Sequence, residues 1–187
     1  MWHNWKDAFF FRHGKTHPLS NYDHDSERKL TAQGVEKTKE LKGCIDRMQL
    51  KFDLLISSPV DRAVDSIGIL FPGIEIVTID ELYFDTDVGQ AMDALFGEHG
   101  YKSAEYYQEL NPQLMAELGN RAAVQIAKEI RKHQANRVAI MSHAVICQLV
   151  ASAMVGGNGP GIQPMLNVEI QEANGFRLFA DGNVDYF

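Results

Sequence analysis

The chain has 187 residues, enough for one ordinary domain that buries about 70% of the surface its unfolded form exposes, so no disulfide staple or metal is required for stability. Hydrophobic residues make up 45% and charged residues 23%, which excludes a mainly disordered chain. Lysine and arginine number 18 against 25 aspartates and glutamates, a net charge of −7, so the molecule as a whole repels polyanions and nucleic acid is not an expected partner.

Cys44 and Cys147 lack CxxC spacing and fall in stretches that read as helical, so both are expected as buried, reduced thiols in a reducing compartment. The amino end carries four consecutive apolar residues, Ala8 to Phe11, too few for a signal-peptide core, and no later run approaches the ~18 residues a membrane span needs. A soluble, cytoplasmic, single-domain protein over residues 1–187 is expected, without a membrane partner. The oligomeric state is left open.

In chain order, Asp7 to Phe11 is a short apolar run that stops at Arg12-His13-Gly14, as a buried strand ending in a polar loop does. Thr31 can cap a helix to about Met48, with Val35, Leu41, Ile45 and Met48 on or near one face. Leu54 to Ser57 reads as a second strand, and Pro59 suits the first turn of a helix from about Val60 to Leu70. Ile74 to Ile79 is a third strand. Short helices are expected over Gln90 to Phe96 and Ala104 to Leu110, then a long one from Pro112 through Lys132 that Gly119 threatens to break. Arg137 to Met141 is a fourth strand ending at Ser142-His143, before a helix from Ala144 to about Val155. A Gly-rich connector, Gly156 to Gly161, leads to two expected strands, Asn167 to Gln171 and Phe176 to Phe179, joined as a hairpin at Asn174-Gly175. Strands alternating with helices predict a three-layer α/β/α fold with a mostly parallel sheet and an antiparallel edge strand.

Ligands of open parallel sheets collect at the carboxyl ends of the strands. Three such ends carry unusual polar residues: Arg12 and His13 after the first, Ser57-Ser58-Pro59 leading to Arg62 after the second, and Ser142 and His143 after the fourth. Guanidinium groups and helix amino ends hold a phosphoryl dianion. A neutral imidazole can attack phosphorus while a second one donates to its oxygens. The expected ligand is therefore a small phosphorylated substrate or a phosphoprotein. His3, His17, His24, His99 and His133 are scattered without metal-ligand spacing, so no metal or other cofactor is expected. His17 and Lys15 read as solvated loop residues.

These motifs resemble, in order, those of the histidine phosphatases, or phosphoglycerate mutase-like superfamily. Arg12-His13-Gly14-Lys15-Thr16 is similar to the family's Arg-His-Gly signature, and Leu30-Thr31-Ala32-Gln33-Gly34 to its Leu-Thr-x-x-Gly helix start. Ser57 to Ala63 resembles its Ser-Ser-x-x-x-Arg-Ala segment, and Ser142-His143-Ala144 its Ser/Thr-His-Gly segment, with Ala in place of Gly. The resemblance implies a phosphoglycerate mutase-like fold with His13 as nucleophile and Arg12, Arg62 and His143 gripping the phosphoryl oxygens. Thr16 and Ala144 join the substrate-binding set. The family's acid, four residues before a Gly, maps to Asp85 ahead of Gly89, with Glu81 as second choice. A phosphatase acting on a phosphomonoester or a phosphoamidate is the leading expectation, beside a phosphoglycerate-type mutase and a non-catalytic phospho-ligand-binding module.

Overall fold

The computed structural model describes residues 5–84 and 86–187. Its sheet has six strands, β1 (Asp7–Arg12), β2 (Leu54–Ser57), β3 (Ile76–Thr78), β4 (Arg137–Ser142), β5 (Gly175–Phe179) and β6 (Val184–Tyr186), ordered β3-β2-β4-β1-β5-β6. Pairings β2–β3, β2–β4 and β1–β4 are parallel, while β1–β5 and β5–β6 are antiparallel. Because β1 lies inside a sheet covered on both faces, its alternate residues feed two cores. Ala8 and Phe10 join Ile56, Ile140 and Phe176 on one face; Phe9 and Phe11 join Leu55 and Met141 on the other.

The second face is covered by α1 (Ala32–Arg47) and α2 (Asp61–Leu70), through Leu41, Ile45 and Ile67. The first is covered by α5 (Pro112–His133) and α6 (Ala144–Met154), with α3 (Asp87–His99), α4 (Ala104–Leu110) and α7 (Ile162–Asn167) around them. The arrangement is the expected three-layer α/β/α fold with a mostly parallel sheet. Among the described residues no helix is long and apolar enough to cross a membrane.

Several local expectations are corrected. The stretch expected as a strand from Asn167 to Gln171 has no strand: Ile162–Asn167 is α7, held by Gln148, whose amide donates to the Val168 carbonyl at 2.8 Å. Asn174-Gly175 is accordingly not a hairpin turn. It starts β5 against β1, with the Arg12 amide donating to the Asn174 carbonyl at 2.9 Å, and a Cβ on Gly175 would collide with the Phe10 carbonyl. The hairpin is β5–β6, turned at Asp181-Gly182, where Gly182 takes φ 83° and the Asp181 carboxylate accepts from the Asn183 amide. Gly119 does not break α5; a Cβ there would meet the Leu149 carbonyl oxygen of α6 at 2.7 Å, so it allows the two helices to touch. The helix after Pro59 begins at Asp61, and α3 is longer than expected because Thr86 caps it, accepting from the Gly89 amide at 3.0 Å. Cys147 is buried as expected, but Cys44 is only half-buried.

Far from the carboxyl edge, the fully buried Asp7 carboxylate accepts from Arg137 at 2.7 and 3.1 Å and from Arg177, tying β1 to both its neighbours. Burial opposes its ionisation, but the two guanidiniums outweigh that and hold its carboxyl below the usual range. Its contribution is thus present above pH ~4 and lost as acid protonates it. Asp7→Asn should cost about 2–3 kcal/mol in denaturant unfolding, somewhat below a fully buried pair because both arginines keep some solvent contact. A loss under about 0.5 kcal/mol would show that the cluster does not tie the strands together.

Candidate active site

Strand register sets the site. Arg12 lies opposite Ser142 and Ser57 opposite Met141, so β1, β2 and β4 end side by side. Beyond those ends the His13 amide donates to the Ser142 carbonyl at 3.2 Å and the Ser58 amide to the Met141 carbonyl at 2.9 Å. The His13 and His143 rings meet at a centroid distance of 4.9 Å. His143 stands at the N-cap of α6, its Nε2 3.4 Å from Ser58 Oγ, against the adjacent rings of Tyr83 and Phe84. Those aromatics are brought there by Ser142, whose hydroxyl donates to the Leu82 carbonyl at 2.8 Å.

His13 is 7% exposed, with Nδ1 2.7 Å from the Gly14 carbonyl oxygen. A carbonyl only accepts, so Nδ1 carries the proton and Nε2 keeps its lone pair. Arg62 Nε donates a long hydrogen bond to that Nε2, at 3.4 Å. Burial above all, then the Arg62 charge, lowers the pKa of His13 to about 3; burial and the neighbouring His13 hold His143 well below its usual value.

The loop after β1 is clamped from beneath. The Gly14 amide donates to Ser66 Oγ at 3.0 Å, and that hydroxyl donates to the Arg62 carbonyl at 2.7 Å. Thr31 accepts from the Gly34 amide at 2.9 Å, its own amide donating to the Lys15 carbonyl at 2.9 Å. Side chains at Gly14 and Gly34 would both clash, Gly34 with Lys15 backbone atoms. The Leu-Thr-x-x-Gly spacing is thus a capped helix end on which the His13 loop rests.

Arg62 is 2% exposed although charged. Asp25 neutralises it: Arg62 Nη2 donates to Asp25 Oδ2 and Nη1 to the Asp25 carbonyl, both at 2.6 Å. Arg28 donates to the other carboxylate oxygen at 2.9 Å, and Tyr83 Oη to Oδ2 at 2.9 Å. Burial opposes ionisation of Asp25, yet Arg28, Arg62 and Tyr83 outweigh it and keep the carboxyl below its usual range. The Tyr83 phenol is pushed up, by burial first and then by Asp25.

A cavity of about 240 Å³ opens over these groups, lined by both histidines, Arg12, Arg28, Arg62 and Thr16. Arg12 donates to the Ile170 carbonyl at 2.7 Å and lies over the Tyr101 ring, 5.2 Å from its centre. The Thr16 hydroxyl accepts from Arg28. Ala144, expected to touch substrate, is buried at the start of α6 and does not line this cavity; its successors Val145 and Ile146 do. Asp85 lies outside the described residues. Glu81 is turned away, accepting from Gln125 at 2.9 Å. Lys15 is exposed on Gln33, in keeping with a solvated loop residue.

Asp25, Arg28, Tyr83, Asp93, Tyr101 and Glu172 belong to the site or its rim and have no local signature. The bridge between Thr16 and Leu30 returns the intervening loop to the His13 segment, and with it Asp25 and Arg28. Only the Asp25/Arg28 spacing of three, on one short turn, hinted at a pair.

A mostly parallel sheet whose strand ends and first loop gather two imidazoles and three guanidiniums in one cavity is built to handle a phosphoryl group. A model of the histidine phosphatase superfamily (branch 1) matches residues 8–171, and the chain belongs to that family, a superfamily of phosphatases and mutases. An uncharacterized protein of Picosynechococcus sp. is 33% identical over 64 residues, 34% of this chain, and the match spans only 39% of that relative. Among solved structures, an alpha-ribazole phosphatase from Shigella flexneri is 19% identical with TM-score 0.64, covering 95% of both chains. A phosphoglycerate mutase from Bacillus anthracis is 15% identical with TM-score 0.64, covering 97% of this chain and 91% of that one. A phosphoserine phosphatase from Entamoeba histolytica is 13% identical with TM-score 0.63, covering 96% and 95%. These likenesses establish the fold.

With its pKa lowered to about 3, native His13 should stay neutral while an unfolded histidine protonates below pH ~6.5. Its contribution to stability is complete above pH ~6.5 and declines as pH falls toward 3. In nitrogen-15 NMR of the free protein neither His13 nor His143 should titrate between about pH 5 and 8; a His13 midpoint near 6.5 would contradict the buried, tautomerically fixed ring.

Proposed function

We propose that the protein is a metal-independent phosphatase that hydrolyses a phosphomonoester or phosphoamidate of a small molecule or exposed protein site through a phosphohistidine on His13. The observation that carries this reading is the unprotonated Nε2 of a neutral His13, facing Arg62 inside a guanidinium-lined cavity. Nε2 attacks phosphorus, the P–N bond forms as the P–O or P–N bond to the leaving group breaks, and water then displaces His13 to release inorganic phosphate. Arg12, Arg62 and His143 donate to the phosphoryl oxygens as negative charge spreads over them. Three guanidiniums, offset in part by Asp25, supply the positive charge that a divalent ion supplies elsewhere. The family resemblance assigns the proton on the departing oxygen to Asp85.

Hydrolysis is favoured over mutase action by the remaining cavity wall. A mutase holds a bisphosphate and needs cations for both phosphates, whereas α3 and the segment before β5 add the carboxyls Asp93 and Glu172 beside Phe84, Phe96 and Tyr101. Burial, then the charge of Asp25, raises the Asp93 pKa, as expected where negative charge already accumulates. A second phosphate or a carboxylate on the substrate would meet that field unfavourably. A non-catalytic binding module has no use for a nucleophile kept unprotonated.

Incubation with 3-phosphoglycerate and a trace of 2,3-bisphosphoglycerate should form little 2-phosphoglycerate, with what slow turnover there is appearing as inorganic phosphate; rapid interconversion without release would establish the mutase. Aryl phosphate hydrolysis should persist in EDTA and fall about 100-fold or more in Arg62→Ala. Reversible loss in EDTA, restored by a divalent ion, would refute the metal-independent mechanism. Asp85→Asn should slow alkyl phosphates at least tenfold more than nitrophenyl phosphate, whose leaving group departs without a proton. Equal losses would remove Asp85 from the acid role.

A further inference from the structure

We infer that Asp25 is the positioning residue for Arg62, fixing its guanidinium so that the Nε edge addresses the phosphoryl group on His13. The assignment rests on the phosphatase reading for its chemistry and on hydrogen-bond geometry for its content. A guanidinium has five N–H donors in a rigid plane. Asp25 takes one from each terminal nitrogen, Nη1 through its carbonyl and Nη2 through its carboxylate, both at 2.6 Å. Asp25 leaves the Nε–H, which donates to His13 Nε2 at 3.4 Å, and one hydrogen on each terminal nitrogen. Asp25 therefore holds the far end of the fork and turns the Nε edge toward the nucleophile.

The rival role, a carboxylate occupying the phosphate site until substrate displaces it, fits these contacts less well. Asp25 holds Arg62 by its terminal nitrogens, away from the Nε that faces His13, so a phosphoryl group on His13 can reach the Nε edge without displacing it. Asp25 is also braced from two other sides, by Arg28 and by Tyr83 Oη, both at 2.9 Å. Neither bond serves a group meant to leave, and Tyr83, 4% exposed, has no room to follow it. The carboxylate, two arginines and the tyrosine form one rigid bracket whose output is the direction of the Arg62 Nε–H.

A misdirected donor costs transition-state stabilisation more than ground-state binding. Asp25→Asn should therefore lower kcat on an aryl phosphate at least tenfold with KM within about twofold. It should weaken orthovanadate, which mimics the five-coordinate transition state, by a similar factor while inorganic phosphate binding holds within about twofold. Tyr83→Phe, which removes one brace without changing charge, should lower kcat about two- to fivefold in the same pattern and add nothing to Asp25→Asn. It keeps the test intact if Asp25→Asn does not fold. Unchanged kcat and vanadate affinity in the variant that folds, equal losses of vanadate and phosphate affinity, or tighter phosphate binding would overturn the assignment, the last by showing Asp25 to be a competitor. Both anions are read without turnover, so a wild-type chain that binds vanadate but hydrolyses nothing would reject the phosphatase reading alone.

Discussion

A guanidinium with almost no solvent contact is the constraint around which this molecule is arranged. Arg62 belongs to α2 and is 2% exposed, where an unpaired charge would be strongly destabilising. Its compensation comes from the loop between β1 and α1, so that loop must fold back over the strand ends, and Asp25 and Arg28 come with it. Tyr83 must reach the same carboxylate, which fixes the segment after β3. One buried charge thereby determines where two separate connections lie.

The same charge shapes the nucleophile. Arg62 and burial keep His13 unprotonated, and the Gly14 carbonyl selects its tautomer. Two glycines make that geometry attainable: Gly14 and Gly34 let the loop lie directly on the start of α1, with Ser66 linking it to the Arg62 backbone. Stability and chemistry are coupled here, since each contact that buries the loop also aims a functional group.

What was legible in the sequence is what short-range physics encodes. Apolar runs ending in Arg12-His13, Ser57-Ser58 and Ser142-His143 mark three strand ends, and a parallel sheet sends parallel strand ends to one edge, so the two histidines and Arg62 could be joined before any coordinates. Thr31 with Gly34 was legible as a helix start, although its reason, the contact with Lys15, was not. The Asp25 bracket was illegible because its partners lie 37 and 58 positions away and Asp23 beside it looks the same. The Asp7 cluster, spanning 130 and 170 positions, was hidden likewise. Asn174-Gly175 misled because a local turn signal lost to strand pairing with β1, which supplies a whole row of hydrogen bonds.

The chemistry turns on the unprotonated Nε2 of His13. Rapid quenching of the protein with a phosphorus-32-labelled substrate, followed by peptide mapping and NMR of the isolated phosphopeptide, reads that atom directly. The predicted result is an acid-labile, alkali-stable phosphate on His13 Nε2, formed and discharged at rates that match turnover. Turnover without covalent label, or label on Nδ1 or on a carboxylate, would contradict it.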